Sequence, residues 1–194
     1  MVKRWAGAIV RRLIANGTIE EEKAALYEFG FEQGVRTMAE TLLLLATGIL
    51  LRVFWQCVLI LVVFTPIRRY AGGYHAKTPM QCALKTWILT TAALLWYRFM
   101  PAYPVAQWVV MGAFLLAILL LCPVEDEHKP LQEYEIKKYR KKAGLLCGGD
   151  FLLFAIGSIW HIIWLSRGIA LAMMMLFTIV IAGSTKNRNK SLSK

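Results

Sequence analysis

His75 and Cys82 stand seven residues apart in Arg68-Arg69-Tyr70-Ala71-Gly72-Gly73-Tyr74-His75-Ala76-Lys77-Thr78-Pro79-Met80-Gln81-Cys82. An imidazole brought to a thiol makes cysteine a nucleophile: the ring takes the proton, the sulfur attacks a carbonyl, and the ring returns the proton to the leaving group. In one continuous helix the two side chains would share a face yet stand ~10 Å apart along the axis, too far for proton transfer. Pro79 argues against such a helix, and Gly72-Gly73 ends the preceding one, so the loop between them can fold back. Thr78 as N-cap, Pro79 at the first helical position and Gln81 at the third form a helix-start signature. Cys82 then falls at the fourth position, where the dipole and free N–H groups favour an anionic sulfur and Lys77 and Lys85 add positive charge. The plainer reading, an inert thiol at a helix end beside a solvated imidazole, stays open on spacing alone.

The remaining candidates are weaker. Cys57 sits mid-segment and Cys147 lies just inside a helix beside Gly148-Gly149; both read as packing residues. Cys122 precedes Pro123 at a helix C-terminus, where the dipole disfavours a thiolate. His161 reads as a hydrogen-bonded core residue, His128 lies in an acidic loop, and Asp150 is expected near a helix start. A zinc site built from His75, Cys82, Cys122 and His128 lacks ligand spacing. The four cysteines contain no CxxC and imply no disulfide framework.

The elements that must position the pair are apolar. Of 194 residues 58% are hydrophobic and 18% charged, and the mean hydropathy is +0.51, a balance that points to a membrane. Residues 1–34 are mixed, and Trp5, Ala8, Ile9, Leu13 and Ile14 share one face of a short amphipathic helix, lying in the headgroup region or packed on the protein and ended at Asn16-Gly17-Thr18. A second helix follows through Gly34, opened by a Thr18–Glu21 capping box. No cleavable signal peptide is read at the N-terminus. Four later segments approach the ~20 residues needed to cross a bilayer: Cys82 to about Arg98, Val105 to Cys122, about Ala143 to Leu165, and Gly168 to Thr185. Between Thr41 and Ile67 the only charge is Arg52, so that stretch is either a single span or a hairpin of two short, thin or re-entrant helices turning at Arg52.

Charge chooses between these. Of 23 Lys and Arg, six lie in residues 1–36, four in 68–85, six in 123–143 and four after Thr185; Arg52, Arg98 and Arg167 remain, one at each opposite turn. The positive-inside rule puts all four clusters in the cytosol, which favours the hairpin. The expected fold is all-α: a polytopic bundle of about six hydrophobic segments after an amphipathic helix, forming one membrane domain over 1–194. Its parts are cytosolic or interfacial helices 1–36, a bundle 37–185 with loops 68–85 and 123–143, and a cytosolic tail 186–194. The basic residues flank membrane segments, where topology and anionic lipid account for them, so the net charge of +11 does not point to nucleic acid.

The stretch Arg68 to Cys82 resembles the accessory gene regulator B family. So does Cys122-Pro-Val-Glu-Asp-Glu-His-Lys-Pro130, followed by Lys137-Lys138-Tyr-Arg-Lys-Lys142. Length and segment order agree over most of the chain. The resemblance implies a membrane cysteine endopeptidase of Gram-positive quorum sensing. Such an enzyme cleaves a short precursor peptide near its C-terminal side and, in thiolactone-forming systems, lets a peptide cysteine capture the acyl-enzyme to close a ring. It implies His75 as base, Cys82 as nucleophile, supporting roles for Arg68, Gly73 and Lys129, and no cofactor or metal. The partners expected are the precursor with its amphipathic leader, the bilayer, and a second copy of the chain as a homodimer. The acidic run Glu125-Asp126-Glu127 departs from more basic relatives. Two other readings stay in view: a small transporter, against which the nearly charge-free spans speak, and a non-enzymatic scaffold, in which no cysteine would be unusually reactive.

Overall fold

The computed structural model of the chain describes residues 2–74, 78–101, 103–124 and 132–192. These carry helices α1 (Val2–Ala15), α2 (Ala24–Leu50), α3 (Phe54–Ala71), α4 (Pro79–Phe99), α5 (Pro104–Leu121), α6 (Glu133–Ile159) and α7 (Ile163–Leu192), with a 3₁₀ turn at Glu21–Lys23. The chain divides into two compact units, Met1–Ala46 and Thr47–Lys194.

In the first unit, α1 ends where the sequence predicts. Gly17 adopts φ 69°; its N–H donates to Ile14 at 2.8 Å and that of Thr18 to Leu13 at 2.9 Å, a left-handed cap that satisfies the terminal carbonyls. Ala6 and Val10 are buried, while Trp5 and Ile9 stay exposed beside Arg4, Arg11 and Arg12. The expected Thr18–Glu21 capping box does not form. Glu20 precedes the 3₁₀ turn without a side-chain cap, and its carboxylate pairs with Lys23 at 2.6 Å instead. Nor does a helix stop at Gly34: α2 runs through it. One interior glycine costs only ~1 kcal/mol, no proline follows, and an Arg36–Glu32 pair at 2.5 Å spans the position.

In the second unit the chain turns between α2 and α3 at Arg52, as the hairpin reading requires. Arg52 is left-handed, φ 55°. Its N–H donates to Ile49 (2.9 Å) and that of Val53 to Gly48 (2.8 Å), again the two-bond left-handed cap. The same turn recurs between α6 and α7, 109 positions further on. His161 has φ 55°, its N–H donates to Ser158 (3.3 Å), and that of Ile162 donates to Gly157 (2.7 Å). The flanks repeat as well, Leu43-Leu44-x-Ala46-x-Gly48 against Leu152-Leu153-x-Ala155-x-Gly157, with Trp55 against Trp164. In both turns a glycine permits close approach: a Cβ on Gly48 would lie 2.7 Å from that of Cys57, and one on Gly157 would lie 3.2 Å from the Ser166 nitrogen. This break corrects the expected one at Arg167-Gly168. His161 is an exposed turn residue, not a core one. Asp150 and Cys147 correspondingly lie in the middle of α6, far from its start at Glu133.

α7 packs against α3, α4, α5 and α6. Its Ile169, Met173, Leu176 and Val180 are fully buried, as are Ile60 and Ile67 of α3, Ile118 of α5 and Phe154 of α6. A helix apolar on all sides is stable only when enclosed in this way or in lipid. Among the described residues, four helices are long and apolar enough to cross a membrane: α3, α5, α6 and, over Ile163–Lys186, α7. An 18-residue helix such as α3 spans ~27 Å, about the thickness of the hydrocarbon layer. α4 has the length but carries Lys85, Thr86, Thr90, Thr91 and Arg98, so the expected six spans are four by this measure.

The arginines outside the basic clusters meet at one end of this unit. Arg98 donates to the Leu51 carbonyl. Arg167 donates to Trp96 (3.1 Å) and to Met100, and its guanidinium lies 4.7 Å from the centre of the Tyr97 ring. Arg68 and Cys82 lie at the other ends of α3 and α4.

Candidate active site

α3 stops where Gly72 and Gly73 adopt φ 71° and 114°, conformations that side chains with a Cβ rarely reach. From there the backbone threads between neighbours. Val124 donates its N–H to Ala71 at 2.9 Å, and Tyr74 donates to Ile179 of α7 at 3.0 Å. A Cβ on Gly73 would lie 2.6 Å from the Arg68 guanidinium and 2.9 Å from the Ile179 carbonyl oxygen. Gly183 of α7 faces the same segment: a Cβ there would lie 2.6 Å from both the Gly73 carbonyl carbon and the Tyr74 nitrogen. Arg68 holds the loop from below, donating to the carbonyls of Gly72 and of Tyr74, the latter at 2.6 Å. The Arg68 side chain, given a supporting role by the resemblance, is thus a clamp on the loop.

α4 opens as its signature predicts. Thr78 is extended (φ −128°, ψ 148°), its Oγ1 accepts from the Gln81 amide at 3.3 Å, and Pro79 takes the first helical position. Cys82 is the fourth residue of α4, its N–H bonded to Thr78 at 3.1 Å. Of the four free cysteines, Cys57, Cys122 and Cys147 are buried and Cys82 is half-exposed. Burial pushes the Cys122 thiol up to about 12, against the opposing pull of Arg140, whose Nε donates to the Cys122 carbonyl at 3.0 Å.

Cys82 opens onto a cavity of about 300 Å³. Arg68, Tyr74, Lys85 and Thr86 line it on its polar side; Leu89 of α4 and Ile179 and Ala182 of α7 line its apolar side. Lys85, one turn beyond Cys82, donates to the Tyr74 hydroxyl at 2.6 Å, a bond that draws the Tyr74 phenol below its usual range. Lys142 lies 5.0 Å from the centre of the Tyr70 ring, and Tyr139 meets that ring edge-on at 5.8 Å. The basic start of α6 therefore borders the last turn of α3.

The structure brings Arg68, Gly73 and Cys82 into one region. His75, Lys77, Lys129 and the run Glu125-Asp126-Glu127 lie outside the described residues. Gly72-Gly73 offers no free amide to an oxyanion. The Gly72, Gly73 and Tyr74 N–H groups go to Arg68 (3.3 Å), Val124 (3.4 Å) and Ile179 (3.0 Å). At the helix start Pro79 has no N–H and Gln81 is capped, which leaves the Met80 amide among the described residues of that turn. Among the described residues no group of three or more His, Cys, Asp or Glu is placed to hold a metal. Sequence reasoning missed Gly183, Ile179 and the Tyr74–Lys85 pair. The small-residue step Ala182-Gly183 inside an apolar helix was the only local sign of a close approach.

Removing an N-cap costs roughly 0.5–2 kcal/mol of helix-end stability, and a helix end acts on a nearby charge by roughly 0.3–1 kcal/mol. Thr78→Val should therefore slow iodoacetamide modification of Cys82 at neutral pH by no more than about fivefold. An unchanged rate would reject the electrostatic role of the cap.

Comparison with known proteins covers most of the chain. The profile of the family described as Accessory gene regulator B matches residues 5–183. A Listeria monocytogenes protein named AgrB-like is 30% identical over 115 residues, which cover 58% of this chain and about half (52%) of that protein. A second AgrB-like protein, of Clostridium perfringens, is 20% identical over 93% of this chain and 86% of its own length. One of Halalkalibacterium halodurans is 24% identical over 80% of this chain and 78% of its own. No solved structure matches. With its loop from Arg68 to Cys82 and its apolar helices within the matched span, this multi-pass membrane chain belongs to the accessory gene regulator B family.

Proposed function

We propose that the chain is a membrane cysteine endopeptidase that cleaves a short quorum-sensing precursor peptide at the cytosolic membrane surface. One observation carries this reading: Cys82 is the free cysteine that is not buried, and it stands in the first turn of α4 on a cavity it shares with Arg68. The sulfur of Cys82 adds to the scissile carbonyl, the C–N bond breaks, and His75 gives the leaving amine its proton. The thioester keeps much of the activation of the peptide bond. A cysteine thiol of the peptide can then take the acyl group, closing a thiolactone and freeing Cys82, without ATP. A shielded membrane edge limits competing hydrolysis. The exposed Trp5 and Ile9 of α1 offer the precursor's amphipathic leader an apolar face at the membrane surface.

The test is to incubate the protein in nanodiscs with candidate precursor peptides drawn from short open reading frames near its gene and weigh it intact. An adduct of the N-terminal peptide fragment, localised to Cys82 by digestion, is expected. An adduct at another cysteine, or cleavage without any adduct-forming cysteine, would overturn the assignment.

The orientation rests on charge. Cysteines introduced at Lys77, Lys137 and Asn189 should react only with reagent on the cytosolic side, and one at Tyr103 only from outside. Labelling of Lys77→Cys from outside would overturn both topology and site.

A further inference from the structure

We infer that Tyr74 is the side-chain oxyanion donor of this site and that Lys85 is its positioning residue; the inference rests on the acyl-transfer reading above. When a thiolate adds to a carbonyl carbon, the C=O electron pair moves onto oxygen, and the transition state needs a donor aimed at that oxygen. Of the amides near the thiol, those of Gly72, Gly73 and Tyr74 bond to the scaffold and that of Gln81 bonds to its cap, which leaves that of Met80. The cavity beside Cys82 adds a side-chain donor. The Tyr74 hydroxyl accepts from Lys85 at 2.6 Å, which fills one lone pair and leaves its own O–H to donate. The Lys85 ammonium, 4.3 Å from the centre of the same ring, polarises that O–H and strengthens it as a donor.

The backbone of Tyr74 is held on both sides of its Cα, by Ile179 through its N–H and by Arg68 through its carbonyl. Lys85 follows Cys82 by three positions on α4, so nucleophile and lysine share a helix face. The donor is thus fixed relative to the sulfur before any substrate binds, the condition under which a hydrogen bond lowers a barrier without reorganisation. The Tyr74 proton stays on its oxygen throughout. The oxyanion returns its electron pair to carbon as the leaving group departs, and His75 supplies the proton to the amine.

Two small probes separate this role from a structural one. p-Nitrophenyl acetate acylates a thiol through a tetrahedral oxyanion, whereas iodoacetamide alkylates it by displacement with no oxyanion. Both are read by intact mass on Cys82 in the full-length protein. Tyr74→Phe is expected to slow acetylation by on the order of 10²-fold and to leave alkylation within about twofold. Lys85→Met should slow acetylation by about tenfold, and Lys85→Arg should restore most of it. Equal acetylation rates in wild type and Tyr74→Phe would overturn the assignment alone, and parallel slowing of both probes would make Tyr74 structural. If wild-type Cys82 is acetylated no faster than free cysteine, the acyl-transfer reading falls and this assignment with it.

Discussion

Cys82→Ala is expected to abolish cleavage of the precursor while the protein still inserts, and His75→Ala to lower it by ~100-fold or more. The two losses differ in kind. Without the sulfur no acyl-enzyme can form, and the Met80 and Tyr74 donors have nothing to stabilise. Without the imidazole the thiolate can still form through solvent, but the amine must leave unprotonated, so a residue of activity remains. Cys57→Ala, Cys122→Ala and Cys147→Ala should keep cleavage, because these thiols are buried; their cost falls on packing. The measurement is peptide cleavage in nanodiscs for all five variants, with insertion checked by membrane flotation. Cleavage by Cys82→Ala would remove the nucleophile assignment, and full activity in His75→Ala would remove the dyad.

The second large effect lies far from the motif in sequence. Gly183→Ala should lower cleavage by ~10²-fold, the scale of a 1 Å misplacement of reacting groups. Its Cβ would fall 2.6 Å from the Gly73 carbonyl carbon and from the Tyr74 nitrogen, both backbone atoms that cannot rotate away. Either α7 or the loop must move, and the 3.0 Å bond from Tyr74 to Ile179 is the first to stretch. Gly112→Ala and Gly148→Ala are the controls, since a Cβ at either meets nothing within 4 Å and alanine favours a helix by ~1 kcal/mol. Insertion of all three should match wild type. More than half of wild-type cleavage in Gly183→Ala would show that the loop does not depend on α7.

Several features of this protein follow from residues acting over a single turn, and these are legible without coordinates. Thr78, Pro79 and Gln81 start α4 because a side-chain oxygen, a preset φ and a missing N–H all act within four residues. Gly72-Gly73 ends α3 because its positive φ values are cheap only for glycine. The position of Cys82 within α4 follows from those local signals alone, as does the end of α1 at Asn16-Gly17. The basic and apolar blocks indicate a multi-pass chain by the cost of burying charge in lipid.

What lay beyond local reading depended on neighbours distant in sequence. Arg52 and His161 close helices in a left-handed conformation that costs a residue with a Cβ ~1–2 kcal/mol. The lone charge between Thr41 and Ile67 marked the turn at Arg52, but nothing comparable marked His161, where Gly157 packs closely on Ser166. Gly34, locally a plausible stop, was overridden because α2 lost little by continuing. The cavity beside Cys82 has walls from α3, α4 and α7, and residues such as Ile179 and Gly183 lie about a hundred positions from the thiol they serve. Spacing can nominate a nucleophile, because helix starts are short-range hydrogen-bond events. It cannot show which donors remain for an oxyanion: Val124 and Ile179, brought in by packing, had already taken the amides of Gly73 and Tyr74.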